Sequence, residues 1–113
     1  MKTPLTILIV DDHPMTVDSY SNILSVSDFQ EKQPNFIRSY NCEDAYKKIF
    51  FYLNQNTTID LALLDISLPP YVELNIENGV DLASLIRKKF PNCKIVLLTM
   101  HGEPLAVDKI IKD

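Results

Sequence analysis

The chain has 113 residues, 11 of them basic and 15 acidic, for a formal charge of −4. That length suits one domain and not two, and 46% hydrophobic residues exclude a disordered chain, because a core can be built from them. An acidic sequence without a cluster of Lys and Arg is a poor match for a phosphate backbone, so any action on DNA is expected to run through something outside these residues.

The first element expected is a strand over Leu5–Val10, a run of Leu, Thr, Ile and Val. Such a run is how a strand reads when both faces of a parallel sheet are covered. It is too short for a signal-peptide core, and no other segment approaches the roughly 20 apolar residues of a membrane span. A soluble, cytoplasmic protein is expected. Asp11 and Asp12 end the run, Pro14 suits a first helical position, and Val17, Tyr20 and Leu24 then share a helix face. In Phe36–Tyr40 polar and apolar residues alternate, with Arg38 inside the run, which marks an edge strand.

Asn41 is placed to cap a second helix, with Asp44 following and Ala45, Ile49 and Leu53 on one face. Ile59–Leu64 is a third strand, ended by Asp65. Asn78, followed by Asp81, caps a third helix with Leu82, Leu85, Ile86 and Phe90 inward, and Cys93–Leu98 is a fourth strand, ended by Thr99. A fourth amphipathic stretch, Leu105 to Ile111, opens after Pro104. Cys42 and Cys93 match no metal-ligand spacing and read as reduced thiols. The order βαβαβαβα gives an open, doubly wound parallel α/β sheet.

In such a sheet functional groups collect at the carboxyl ends of the strands. Neighbouring strands lie about 4.8 Å apart, so if strands 1 and 3 pair, Asp11, Asp12 and Asp65 crowd into one pocket. Carboxylates that close repel unless a cation neutralises them. Oxygen ligands in an open pocket suit Mg2+, which keeps several waters and takes one or two carboxylates plus a substrate phosphate. One carboxylate is then left to attack phosphorus, and the Thr99 hydroxyl is placed to bond the transferred group. A lone Asp after a strand is ordinarily a cap or turn residue, and Asp12 could cap the helix after Pro14. Three acids at two strand ends, with Thr at another, favour a site.

The segments ILIVDDHPM (Ile7–Met15), IDLALLDISLP (Ile59–Pro69) and KIVLLTMHG (Lys94–Gly102) resemble the receiver domain of two-component response regulators, in register over nearly the whole chain. The resemblance implies a flavodoxin-like sheet of order 2-1-3-4, with Asp65 as the phosphorylated residue. It makes Asp12 a direct Mg2+ ligand beside Asp65, has Asp11 act more through water, and lets the backbone carbonyl of Ser67 complete the protein ligands. Thr99 resembles the switch hydroxyl, and Pro69, Met100 and His101 fall near the site. His13 and His101 are read as surface-loop residues, His101 being placed to influence how water reaches the phosphoryl group. Asp-Asp-His-Pro and Thr-Met-His resemble most the subfamily with a LuxR-type helix-turn-helix output. The partners implied are a sensor histidine kinase, a second copy of the chain, and DNA only through a C-terminal output domain not present here; no membrane is implied and no external substrate is turned over.

Three departures accompany the resemblance. The family's lysine follows a fifth strand, and this chain stops at Asp113, so it is expected to be incomplete, with the fifth strand and helix missing. Lys109 and Lys112 fall on the expected fourth helix and do not match that role. The aromatic switch residue of the fifth strand is absent for the same reason. The stretch from Pro69 to Asn78 is longer than the family's usual turn before Gly79, an excursion that a surface loop tolerates. With strand 4 as a bare edge, dimerisation or exchange of elements is expected. Two rival readings remain: a receiver that dimerises without phosphate, against which the intact acids argue, and an aspartate-nucleophile phosphatase, against which Ser67 argues, since a second carboxylate is needed there.

Overall fold

The computed structural model describes residues 4–25 and 33–99, and the backbone of 104–106. Its elements run in chain order as β1 (Thr6–Val10), α1 (Pro14–Ser25), β2 (Asn35–Ser39), α2 (Cys42–Asn54), β3 (Leu61–Asp65), α3 (Gly79–Lys89), β4 (Lys94–Leu98) and β5 (Pro104–Ala106), with a 3-10 turn at Val72–Leu74 before α3. The sheet order is β2-β1-β3-β4-β5. β1 through β4 are parallel, as expected, and β2 is the edge strand that its Arg38 foretold.

The period of two along the strands sorts the core into two layers. Leu8 and Val10 of β1, Ala62 and Leu64 of β3 and Ile95 and Leu97 of β4 face α2 and α3, where Ala45, Ile49, Leu82 and Ile86 meet them. Ile7 and Ile9 with Leu63 turn the other way, onto Val17 of α1. All five residues of β1 are buried, and after Thr6 its run is wholly aliphatic. On the α1 side the described residues leave a groove of about 370 Å3 lined by Leu5, Leu24, Asp60, Leu61 and Lys94. Among the described residues no helix is long and apolar enough to cross a membrane.

The helix starts form as their residues dictate. The Asn41 side chain accepts the Asp44 N–H at 2.7 Å. Asn78 accepts from Val80 at 2.9 Å and Asp81 at 3.1 Å, while Asp81 accepts the Glu77 N–H at 2.9 Å, so both side chains cap N–H groups at this helix start. Arg87, Lys88 and Lys89 in the last turn of α3 suit the negative end of its dipole. The two thiols are free and buried. Burial pushes Cys42 up to about 11 and Cys93 up to about 12, so neither is a thiolate at neutral pH.

One expectation is corrected at the end of the sheet. Pro104–Ala106 is not the start of a helix but a strand, antiparallel to β4, with Val96 opposite Ala106 and Leu98 opposite Pro104. The physical reason is the edge of β4, whose unpaired N–H and C=O groups are satisfied by any extended segment that reaches them. A helical period over seven residues is too short to resist this on its own. The expected bare edge is therefore covered, which removes part of the reason for expecting exchange between chains. The remainder of the expected fourth helix, 107–111, and Lys109 and Lys112 lie outside the described residues. The family's parallel fifth strand is not found among the described ones.

The long turn after β3 is a built element. Tyr71 and Ile76 exchange backbone hydrogen bonds of 2.8 and 3.2 Å, Asn75 takes the left-handed conformation that closes the turn, and the Tyr71 ring meets Tyr46 of α2 edge-on at 5.7 Å. The turn leads into Gly79, whose N–H donates to Ile66 O at 2.8 Å. A Cβ at residue 79 would overlap the backbone carbonyl of Asp65, which cannot swing aside as a side chain would. Gly79→Ala is expected to cost at least about 1–3 kcal/mol, the usual scale of overpacking. Urea denaturation checks the stability, and displaced amide resonances of Asp65–Ser67 check the location.

Candidate functional site

The register of β1 on β3 pairs Val10 with Leu64, so the residues that follow, Asp11 and Asp65, leave the sheet side by side. Hydrogen bonding continues past the strands and fixes both: Asp11 N–H donates to Ser39 O and Ile66 N–H to Leu98 O, each at 3.1 Å. The result is a cleft of about 490 Å3 at the carboxyl ends of β1, β3 and β4, lined by Asp11, Asp12, Asp65, Ser67 and Thr99 with His13, Thr16, Tyr20 and Leu98. The sequence-expected acids, the hydroxyl at the end of β4 and Ser67 are thus brought together. Pro69 does not line the cleft; its carbonyl accepts the Cys42 N–H at 3.0 Å and so anchors the turn to the start of α2. Met100 and His101 lie outside the described residues.

The three carboxylates differ in setting. Asp11 is 6% exposed, and its Oδ1 accepts the His13 N–H at 2.9 Å and meets His13 Nδ1 at 2.9 Å. Asp12 is exposed, with Oδ1 3.0 Å from the same ring nitrogen. The α1 turn is closed by the His13 carbonyl, which accepts from Thr16 at 2.9 Å and Val17 at 3.3 Å, and Pro14 opens the helix as expected. Asp65 is half-buried, and its Oδ1 accepts the Ser67 N–H at 3.1 Å, an Asx turn that leaves the second oxygen for other work.

Burial raises the Asp65 carboxyl above its ordinary value, and the charges of Asp11 and Asp12 add to this against the Ser67 N–H and His13. The bond to Asp11 raises the His13 imidazole, helped by the charges of Asp12 and Asp11. One ligand atom from each of Asp11, Asp12, His13 and Asp65 lies within 4.8 Å of the others. Opposed ligands of a small divalent ion stand about 4.2 Å apart, so the four atoms lie slightly wider than one such ion spans. A shift of well under about 1 Å would bring them onto it, with the remaining positions open to the cleft.

Comparison with known proteins agrees with this arrangement. The model of the response regulator receiver domain matches residues 7–113. The chain belongs to that family. The oxygen regulatory protein NreC of Staphylococcus haemolyticus is 30% identical over 99 residues, which are 88% of this chain and 40% of that protein. A cyclic di-GMP phosphodiesterase of Thermotoga maritima is 28% identical over 96% of this chain and 24% of its own length. This receiver thus spans two-fifths or less of these two relatives. Among solved structures, the isolated receiver domain of RcsB from Salmonella enterica serovar Typhimurium superposes with a TM-score of 0.62 at 22% identity, covering 89% of this chain and 65% of that one. A LuxR-family response regulator from Aurantimonas sp. SI85-9A1 gives 0.58 at 22%, over 88% and 61%. Both likenesses bear on the fold, and the parallel order 2-1-3-4 is the receiver order.

His13 is the receiver residue whose place the sequence reading did not anticipate. It sits on a surface loop, as read, but its ring turns onto the acidic pair. The available signal was its position two residues after Asp11, where an Asx turn bends the chain back on itself.

The Asp65 shift has a consequence for stability. A carboxyl raised in the folded state favours folding only below its unfolded value, and that benefit is lost as pH rises through the folded value. Above that range the ionised Asp65 opposes folding. In metal-free buffer Asp65→Asn is therefore expected to melt higher than the native chain at pH 7. The gap is expected to shrink as pH falls through the carboxylate range, which calorimetry at pH 7, 5 and 4 measures.

Proposed function

We propose that this receiver accepts a phosphoryl group on Asp65 from a sensor histidine kinase, in a Mg2+-dependent step, and changes conformation to control an output, transcription above all. The observation that supports this best is the cleft itself: a half-buried carboxylate with one oxygen held by the Ser67 N–H, two further acids just past the end of the neighbouring strand, and a hydroxyl just past the end of the next. Asp12 and Asp65 would hold the ion, with the Ser67 carbonyl completing the protein ligands and Asp11 acting through water. When bound, the ion supplies positive charge that offsets the repulsion between the acids and the incoming phosphoryl oxygens.

The chain's own residues supply position. The Ser67 N–H holds Asp65 Oδ1, so the other oxygen attacks phosphorus in line while the bond from phosphorus to the donor nitrogen breaks. The breadth and openness of the cleft suit a phosphoryl group carried on another protein's side chain. Thr99 lies at the end of β4, next to Leu98, which is paired with Asp65, so its hydroxyl is the group that can follow the new charge. A hydrogen bond gained there would bias the β4 end of the sheet toward a second arrangement. The receiver modifies itself and turns over no external substrate.

The relatives' extra length and the LuxR-family neighbour support an output domain that carries DNA binding in the whole protein. A homodimer, for which the open α1-side groove offers apolar surface, and a cytoplasmic setting belong to the same proposal. Acetyl phosphate with Mg2+ is expected to add one phosphoryl group, located on Asp65 by mass spectrometry after borohydride reduction. Asp65→Asn is expected to abolish it, and Asp12→Ala to remove the Mg2+-dependent amide shifts around the cleft. Thr99→Ala is expected to leave phosphorylation intact and to shrink the shifts that follow it. A phosphate located on another residue overturns the assignment.

A further inference from the structure

The acids alone make an oxygen-only site, the kind that suits Mg2+. A nitrogen atom stands among them. His13 Nδ1 is 2.9 Å from Asp11 Oδ1 and 3.0 Å from Asp12 Oδ1, and it belongs to the same set of four ligand atoms as Asp65. Adjacent ligands of an octahedral ion with bonds of about 2.1 Å stand about 3.0 Å apart. The 3.0 Å between the ring nitrogen and Asp12 Oδ1 therefore also lets the ring share an ion with that carboxylate. The backbone brings the ring there: the His13 N–H is tied to Asp11 Oδ1, and Pro14, beginning α1, restricts the conformation of the residue before it. The side chain is 73% exposed, so core packing does not decide its direction.

We propose that His13 is a cation ligand through Nδ1. It makes this site a mixed oxygen–nitrogen one and shifts its preference from Mg2+ toward first-row transition ions such as Mn2+, Co2+ and Zn2+. Imidazole favours those ions over Mg2+, whereas carboxylates and water accept either. Ligation uses the tautomer with its proton on Nε2, leaving the Nδ1 lone pair for the ion. With the proton on Nδ1 instead, the ring would donate to the two carboxylates and compete with every cation alike. The two arrangements predict opposite effects of removing the ring.

The proposal rests on the cleft being a cation site, and the test separates the two. Co2+, followed by its visible absorption, and Mg2+, followed by amide shifts, are titrated into the native chain, His13→Ala and Asp12→Ala. His13→Ala is expected to weaken Co2+ at least about tenfold, the scale of even outer-shell changes at metal sites, to leave Mg2+ within about twofold, and to move the Co2+ bands as a nitrogen ligand is lost. Equal weakening of both ions, tighter binding of both, or unmoved Co2+ bands overturns the role of His13. Undiminished binding of both ions in Asp12→Ala shows instead that the cleft is not where cations bind, and overturns both readings. Far-ultraviolet circular dichroism confirms that each variant is folded, which the exposure of both side chains favours.

Discussion

The pairing of β1 with β3 is the constraint on which the rest of this receiver depends. Parallel strands in register, with Val10 beside Leu64, deliver Asp11 and Asp65 to the same level of the sheet. Slipping either strand by one residue would send Leu8 and Val10 out of the layer they share with α2 and α3 and turn Ile7 and Ile9 into it. The hydrophobic sorting that makes the fold stable thus also locks the distance between the acids. Site geometry and core packing are one interaction seen from two ends.

That arrangement works against itself electrostatically. Carboxylates gathered within one ion's width repel, and burial of Asp11 with half-burial of Asp65 makes water a poor screen for them. Besides the His13 ring, which meets Asp11 and Asp12, the backbone N–H groups of Ser67 and His13 are each spent on one carboxylate oxygen. These bonds fix where the acids are without cancelling their charge. A cleft built in this way is ready for a cation and for whatever anion the cation brings, which is why its charge imbalance is best understood as function.

The departures from the expected pattern have local physical causes. The turn after β3 holds its shape through the Tyr71–Ile76 pairing and the edge-on contact of Tyr71 with Tyr46, so its added length leaves the approach to Gly79 undisturbed. Gly79 is required there because the chain passes against the Asp65 carbonyl with no room for a side chain. At the far edge, three residues pair with β4 where a helix was expected; an unpaired strand edge is a stronger director than a short amphipathic period.

The sequence by itself determined the alternation of strands and helices, because periods of two and of 3.6 leave different traces in where Ile, Leu and Val recur. It also determined the caps at Asn41 and Asn78, which need only a side-chain oxygen and the next turn of backbone, and the acids at the strand ends, where apolar runs stop abruptly at Asp11 and Asp65. Three matters were decided only in the tertiary structure. The ring of His13 turns onto Asp11 and Asp12, Pro69 serves α2 and not the cleft, and Pro104–Ala106 is a strand. Each depends on a partner far away in sequence or on the direction in which one turn aims a side chain, and neither quantity has a local period to read. Propensity acts over neighbours along the chain, while these choices were made by groups that folding first had to bring together.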